Sequence, residues 1–173
     1  MSKEISQFDL LIKNGTIYTA VETFDADIAV KDEKIIAIGK NLGNAERVID
    51  AEGMLVLPGG IDPHCHIEQE SSTRIMTADD FYSGSVSAAF GGNTTFLPFA
   101  AQHRGQSLRE VVDTARDRAR VKSVIDYGLH LIISDPTEKV LEEELPSLIK
   151  EGYTSFKVYM TYEMLKINDR EML

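Results

Sequence analysis

Leu57-Pro58-Gly59-Gly60-Ile61-Asp62-Pro63-His64-Cys65-His66 is the stretch on which the reading of this chain turns. If Val56 to His64 forms a strand, side chains two apart share a face, so the imidazoles of His64 and His66 converge while Cys65 points away. Two ring nitrogens placed in this way suit Zn²⁺ or a neighbouring divalent transition metal, and Cys65 need not take part. The competing reading is a pair of histidines two apart with no shared ligand, and spacing alone leaves both open. The context favours a site. Pro58-Gly59-Gly60 punctuates an apolar run that leads into Asp62-Pro63, the pattern of a buried strand opening onto a polar rim.

With 173 residues, 43% of them hydrophobic and 27% charged, the chain has the composition of an ordinary globular protein with one sizeable core. A formal charge of −10 argues against nucleic acid or an anionic membrane surface as partner, since both select basic faces. One cysteine cannot close an internal disulfide, and the opening residues lack the long apolar run of a signal peptide or membrane span. A cytoplasmic location is the resulting expectation.

Upstream of the histidines the pattern is short and β-like. Leu10-Leu11-Ile12 and Thr16-Ile17-Tyr18 flank Asn14-Gly15, which reads as a turn, and Asp27 to Val30 and Lys34 to Ile38 flank Asp32-Glu33. Arg47 to Asp50 and Met54 to Leu57 add two strands across Glu52-Gly53. Downstream, strand and helix patterns alternate, which points to βα units and a parallel sheet. The strands expected are Val56 to His64, Thr94 to Phe99, Tyr127 to Ile133 and Thr154 to Met160. Between them, Thr77 is placed to cap a helix ending at Gly91-Gly92, and Ser107 to about Val121 forms an amphipathic helix. Val140 to Lys150 forms an acidic helix in which Pro146 implies a break or kink. Four strand-helix periods make about half of a (β/α)₈ barrel, which needs eight over ~250 residues. The fold class is therefore α/β, with residues 1–56 as a β domain and 57–173 as the first half of a barrel.

Lys157 lies within the last apolar strand, where a bare ammonium is costly to bury. It is ion-paired, snorkelling to solvent, or chemically altered. A lysine of lowered pKa can add CO₂ to give a carbamate, an anionic group with two oxygens able to bridge two metal ions.

Leu57 to His66, Thr77-Ala-Asp-Asp-Phe-Tyr82, Gly91-Gly-Asn-Thr-Thr95 and Ser155-Phe-Lys-Val-Tyr-Met-Thr-Tyr162, in this order, resemble the dihydropyrimidinase and D-hydantoinase branch of the cyclic amidohydrolases. The resemblance covers nearly the whole chain. It implies a metal-dependent TIM barrel, incomplete here, preceded by strands of a small β-sandwich. The implied activity is hydrolysis of dihydropyrimidines or 5-substituted hydantoins to N-carbamoyl amino acids, with two divalent metals, zinc by expectation. Through the same resemblance His64 and His66 are metal ligands, Lys157 as the carbamate bridges both ions, and Tyr162 polarises the substrate. The partners implied are a small cyclic amide and, at full length, further copies in a homodimer or homotetramer.

The family's two later metal-binding histidines and its aspartate base have no candidates after Lys157. His103 and His130 precede it and read as structural, the first in a loop and the second satisfied within a strand. Cys65 stands where the family often carries threonine, a place where oxidation could disturb the site. The expectation is thus an N-terminal portion of a cyclic amide hydrolase, inactive by itself. The alternatives are a noncatalytic relative acting in oligomer assembly, or an allantoinase-like or dihydroorotase-like enzyme.

Overall fold

The computed structural model describes residues 7–71 and 75–173, which fall into two compact units meeting between Pro58 and Gly59. In the first unit, β1 (Phe8–Tyr18), β2 (Thr23–Lys31), β3 (Lys34–Gly39), β4 (Ala45–Asp50) and β5 (Leu55–Val56) form one sheet in the order β3-β2-β1-β4, with β5 also on β1. Antiparallel pairing joins β1 to β2 and β2 to β3, whereas β4 and β5 run parallel to β1. Asp32-Glu33 makes the hairpin turn with both residues at positive φ, as a turn matching strand twist requires.

Asn14-Gly15 is not a turn but a bulge within β1, where the register against β2 shifts. Asn14 adopts φ 61° while its N–H donates to Asp27 Oδ1 and its side-chain amide donates to Asp50 Oδ1. A Cβ on Gly15 would stand 2.5 Å from Val56 Cγ2, so only glycine lets β5 approach β1 there.

The second unit holds β6 (Gly60–Asp62), α1 (Phe81–Phe90), β7 (Asn93–Phe96), β8 (Phe99–Ala101), α2 (Leu108–Lys122), β9 (Asp126–Tyr127) and β10 (His130–Ile132). A π-helical turn, Val140–Glu144, then runs into α3 (Leu145–Lys150), followed by β11 (Phe156–Lys157) and α4 (Asp169–Met172). Every strand pair in this unit is parallel, in the orders β6-β7-β9 and β8-β10-β11. The expected strand from Val56 to His64 is therefore two elements. β5 belongs to the first unit's sheet and β6 to the second's, separated by Leu57-Pro58-Gly59.

The next two expected strands are each broken once. Pro98, which has no N–H to donate, separates β7 from β8, and Gly128-Leu129 separates β9 from β10. Pairing passes through the breaks by Leu97 N–H to Asp62 O at 2.8 Å and His130 N–H to Pro98 O at 2.9 Å. Asp80, not Thr77, caps α1, accepting from Ser83 N–H while the Ser83 hydroxyl accepts from Asp80 N–H. Pro146 marks the expected interruption of its helix, where the π-helical stretch ends at Glu144 and α3 begins at Leu145. It sits in the first turn of α3, just after the π-helical turn, where its missing N–H is tolerated.

Leu108 and Val112 of α2, Leu131 of β10 and Leu148 of α3 are fully buried together, and a second cluster gathers Ile67, Phe81, Phe96 and Ala119. Arg109 of α2 forks onto both oxygens of Glu151 at 2.7 and 2.8 Å and donates to Ser147, tying α2 to α3. No helix among the described residues is long and apolar enough to cross a membrane.

Leu131→Ala should lower stability by about 2–5 kcal/mol in denaturant titrations, because its side chain is 0% exposed. Glu144 is 7% exposed and supplies a pH test. Burial pushes its carboxyl up, but Arg109 N–H, the Ser107 hydroxyl and the Lys139 ammonium together hold it below its ordinary value of 4.5. Its stabilisation is thus complete above that value and lost as pH falls through the lower, folded-state one. Glu144→Gln should flatten the acid limb of stability between about pH 3 and 5, read from unfolding midpoints across that range.

Candidate metal centre

The two imidazoles converge by a bend rather than by strand alternation. β6 ends at Asp62, whose Oδ1 accepts the backbone N–H of His64 at 3.0 Å and fixes the Asp62-Pro63-His64 turn. Beyond it the rings of His64 and His66 meet edge to face with centroids 5.3 Å apart. Cys65, between them, packs against the cluster of Ile67, Phe81, Phe96 and Ala119. Burial first and the charge of Asp62 second push its thiol up to about 11. The expected sensitivity to oxidation is therefore corrected, since reactivity needs the thiolate.

Phe99, at the start of β8 and only 6% exposed, is the surface on which these groups assemble. His66 stacks on it at 4.9 Å with planes 17° apart, and His64 meets it at 4.8 Å. Lys157 of β11 places Nζ 4.2 Å from the centre of the same ring and 5.1 Å from that of Tyr159. Among the described residues the Lys157 amine makes these two aromatic contacts and no ion pair, which leaves it chemically available. The imidazole of His64 is held below the ordinary histidine pKa, by desolvation first and then by the positive charge of Lys157, with His66 and His130 adding to it. A neutral imidazole is the form a metal requires.

His130 of β10 also lies against Phe99, at 5.1 Å, but both of its nitrogens are engaged. Nε2 donates to Pro63 O at 2.8 Å, and Nδ1 is hydrogen-bonded to the Ser155 hydroxyl. It braces the turn that carries His64 and has no nitrogen left for a ligand. His103 lies apart in the loop after β8, its N–H donating to Gln106 Oε1. Tyr162 is 59% exposed and touches Tyr159, ring centres 5.0 Å apart, so one aromatic ring separates it from Lys157.

Among the described residues no three His, Cys, Asp or Glu side chains come together closely enough to hold a metal ion. What the chain brings together is two imidazoles and one amine. A lysine ammonium would repel a cation, but an anionic derivative of it at the same place would add oxygen ligands to the two nitrogens, so the donor set fits a divalent metal on that condition. Sequence reasoning missed Phe99, an apolar strand residue with no chemical signature, and Gln69, whose Oε1 lies 2.7 Å from His66 Nδ1. Phe99→Leu should move the imidazole proton resonances of the stacked His66 downfield as the ring current vanishes, and shift those of His64 as well. Unchanged resonances in the two-dimensional spectrum would contradict the stacked arrangement.

No family model matches the chain. It is 50% identical over 155 residues to the D-hydantoinase of Geobacillus stearothermophilus, covering 88% of this chain and 32% of that protein. To the dihydropyrimidinase of Rattus norvegicus it is 35% identical over 170 residues, 94% of this chain and 33% of the relative. A solved D-hydantoinase structure superimposes with a TM-score of 0.90 at 49% identity, over 95% of this chain and 36% of that one. The chain thus spans about a third of the length of the curated relatives it matches. Over that span, in sequence and in its amidohydrolase fold, it belongs to the D-hydantoinase and dihydropyrimidinase family.

Proposed function

We propose that these residues form part of a cyclic amide hydrolase that opens dihydropyrimidines or 5-substituted hydantoins to N-carbamoyl amino acids. The observation that carries the reading is the gathering of His64, His66 and Lys157 on the single ring of Phe99. Parallel strands added in chain order, with helices between them, support placing Gly59 onward in a (β/α)₈ barrel. The exposed apolar side chains of Phe156 in β11 and of Val158 and Met160 just after it support a longer chain that covers them. A small cyclic amide is the proposed partner, and a homodimer or homotetramer in the cytoplasm the proposed state of the whole protein.

In this reading His64 and His66 hold a divalent metal through neutral nitrogens, Asp62 and His130 fix the turn that aims them, and Phe99 shields one side from water. Lys157 in its free-amine form would add CO₂, with one C–N bond formed and one proton released, and its carbamate oxygens would then help to hold zinc-type ions. Such ions, when bound, supply the acidity that makes water nucleophilic near neutral pH and polarise the amide carbonyl. Tyr162 donates its phenolic hydrogen to the carbonyl oxygen as negative charge develops there. Protonation of the leaving nitrogen is assigned to a carboxylate outside residues 1–173. The ligand residues retained at Phe99 favour this reading over a noncatalytic relative.

In the full-length protein Lys157→Ala should abolish both bound metal and hydrolysis of dihydrouracil, with partial rescue by small carboxylic acids. Metal analysis showing an undiminished content in that variant would exclude the carbamate. Residues 1–173 alone should give no measurable turnover in an assay for released N-carbamoyl product, and metal-dependent turnover by the purified chain would refute that expectation.

A further inference from the structure

His66 and Gln69 face each other across the turn that leaves the candidate centre, with His66 Nδ1 2.7 Å from Gln69 Oε1. An amide oxygen cannot donate, so the hydrogen in this bond belongs to the imidazole. We propose that Gln69 is a positioning residue that fixes His66 in the tautomer protonated on Nδ1 and so keeps Nε2 as its coordinating nitrogen. The proposal rests on the metal-centre reading and adds to it the residue that orients one ligand.

A hydrogen-bond acceptor orients an imidazole only if it is itself held, and the segment after His66 is held at several points. Gln69 N–H donates to Thr77 Oγ1 at 3.1 Å, Thr77 N–H returns a bond to Gln69 O at 3.0 Å, and the Thr77 hydroxyl donates to Asp79 O. Thr77 is therefore the lock on Gln69, which accounts for a residue that sequence reasoning placed as a helix cap. One position earlier, Glu68 takes up a left-handed backbone at φ 47°. Its carboxylate accepts from Phe81 N–H at the start of α1 and from the Lys122 ammonium of α2 at 2.8 and 2.9 Å, and its own N–H donates to Asp79 O. The turn is thus pinned to two helices, and Gln69 presents its oxygen to His66 from a fixed platform. An outer acceptor of this kind sets both the tautomer and the ring direction of a metal-binding histidine, and its loss typically weakens metal affinity 10- to 100-fold.

The test uses the chain stripped of metal and labelled with nitrogen-15 in its imidazoles. His66 should carry its hydrogen on Nδ1, and Gln69→Leu should return it to the Nε2–H form that a free histidine side chain prefers. Gln69→Glu, which keeps an acceptor at the same reach, should restore the Nδ1–H form, and Thr77→Val should shift it in the direction of Gln69→Leu. Zinc affinity, measured by competition with a chromophoric chelator, should fall about 10- to 100-fold in Gln69→Leu and recover in Gln69→Glu. An Nε2–H tautomer in the parent chain, or a tautomer indifferent to Gln69→Leu, overturns the proposal. Unaltered zinc affinity in Gln69→Leu overturns it as well. If residues 1–173 bind no zinc without the anionic form of Lys157, the metal-free tautomer alone decides whether Gln69 fixes His66. Circular dichroism identical to the parent's establishes that each variant is folded.

Discussion

The arrangement at the candidate centre depends on one aromatic ring. Phe99 is buried on its own sheet yet presents a face on which His66 stacks, His64 meets edge-on and the Lys157 amine rests. An aromatic ring attracts a cation over its face and accepts imidazoles either stacked or edge to face, so one apolar residue orders these groups. The ring is held by β8, which pairs with β10 so that Phe99 lies beside His130. β10 in turn places Ile132 beside Lys157 on β11. Strand register thus sets the relative heights of Phe99, His130 and Lys157, while the bend after β6 brings in His64 and His66.

Polar groups around this ring divide the work without competing for it. His130 spends both nitrogens bracing Pro63 and Ser155, and Asp62 spends a carboxylate oxygen on the turn. Those bonds satisfy the backbone of the turn that carries His64, and the ring of His66 commits Nδ1 to Gln69. Cys65, lying between two candidate ligands, is withdrawn into the apolar cluster behind them. The resulting layers run from packed core through hydrogen-bonded braces to open donors, the order in which a metal site is made rigid.

Much of this was legible in the sequence, and the failures have physical causes. The alternation of strands and helices after His66, the amphipathic α2 and the place of Lys157 on the last strand followed from periodicity. Asn14-Gly15 read as a turn because local preference favours one there, but the carboxylates of Asp27 and Asp50 make a bulge the better solution. No local pattern announces those partners, which lie 13 and 36 residues away. Val56 to His64 read as one strand because apolar runs do not show where a chain changes sheets. Phe99 and Gln69 were invisible because their roles are set by neighbours and not by their own chemistry.

Glu68 joins two of these layers through an unusual backbone. A glutamate at φ 47° occupies a region that few side chains other than glycine visit readily, and it is kept there by its bonds to Phe81 N–H and Lys122. The segment carrying His66 is therefore ordered partly by an ion pair between side chains, whereas the turn carrying His64 is ordered by short hydrogen bonds between its backbone and the side chains of Asp62 and His130. Electrolyte weakens the first kind of restraint and leaves the second almost untouched. The two imidazoles, adjacent in space, thus differ in how firmly each is held as ionic strength rises.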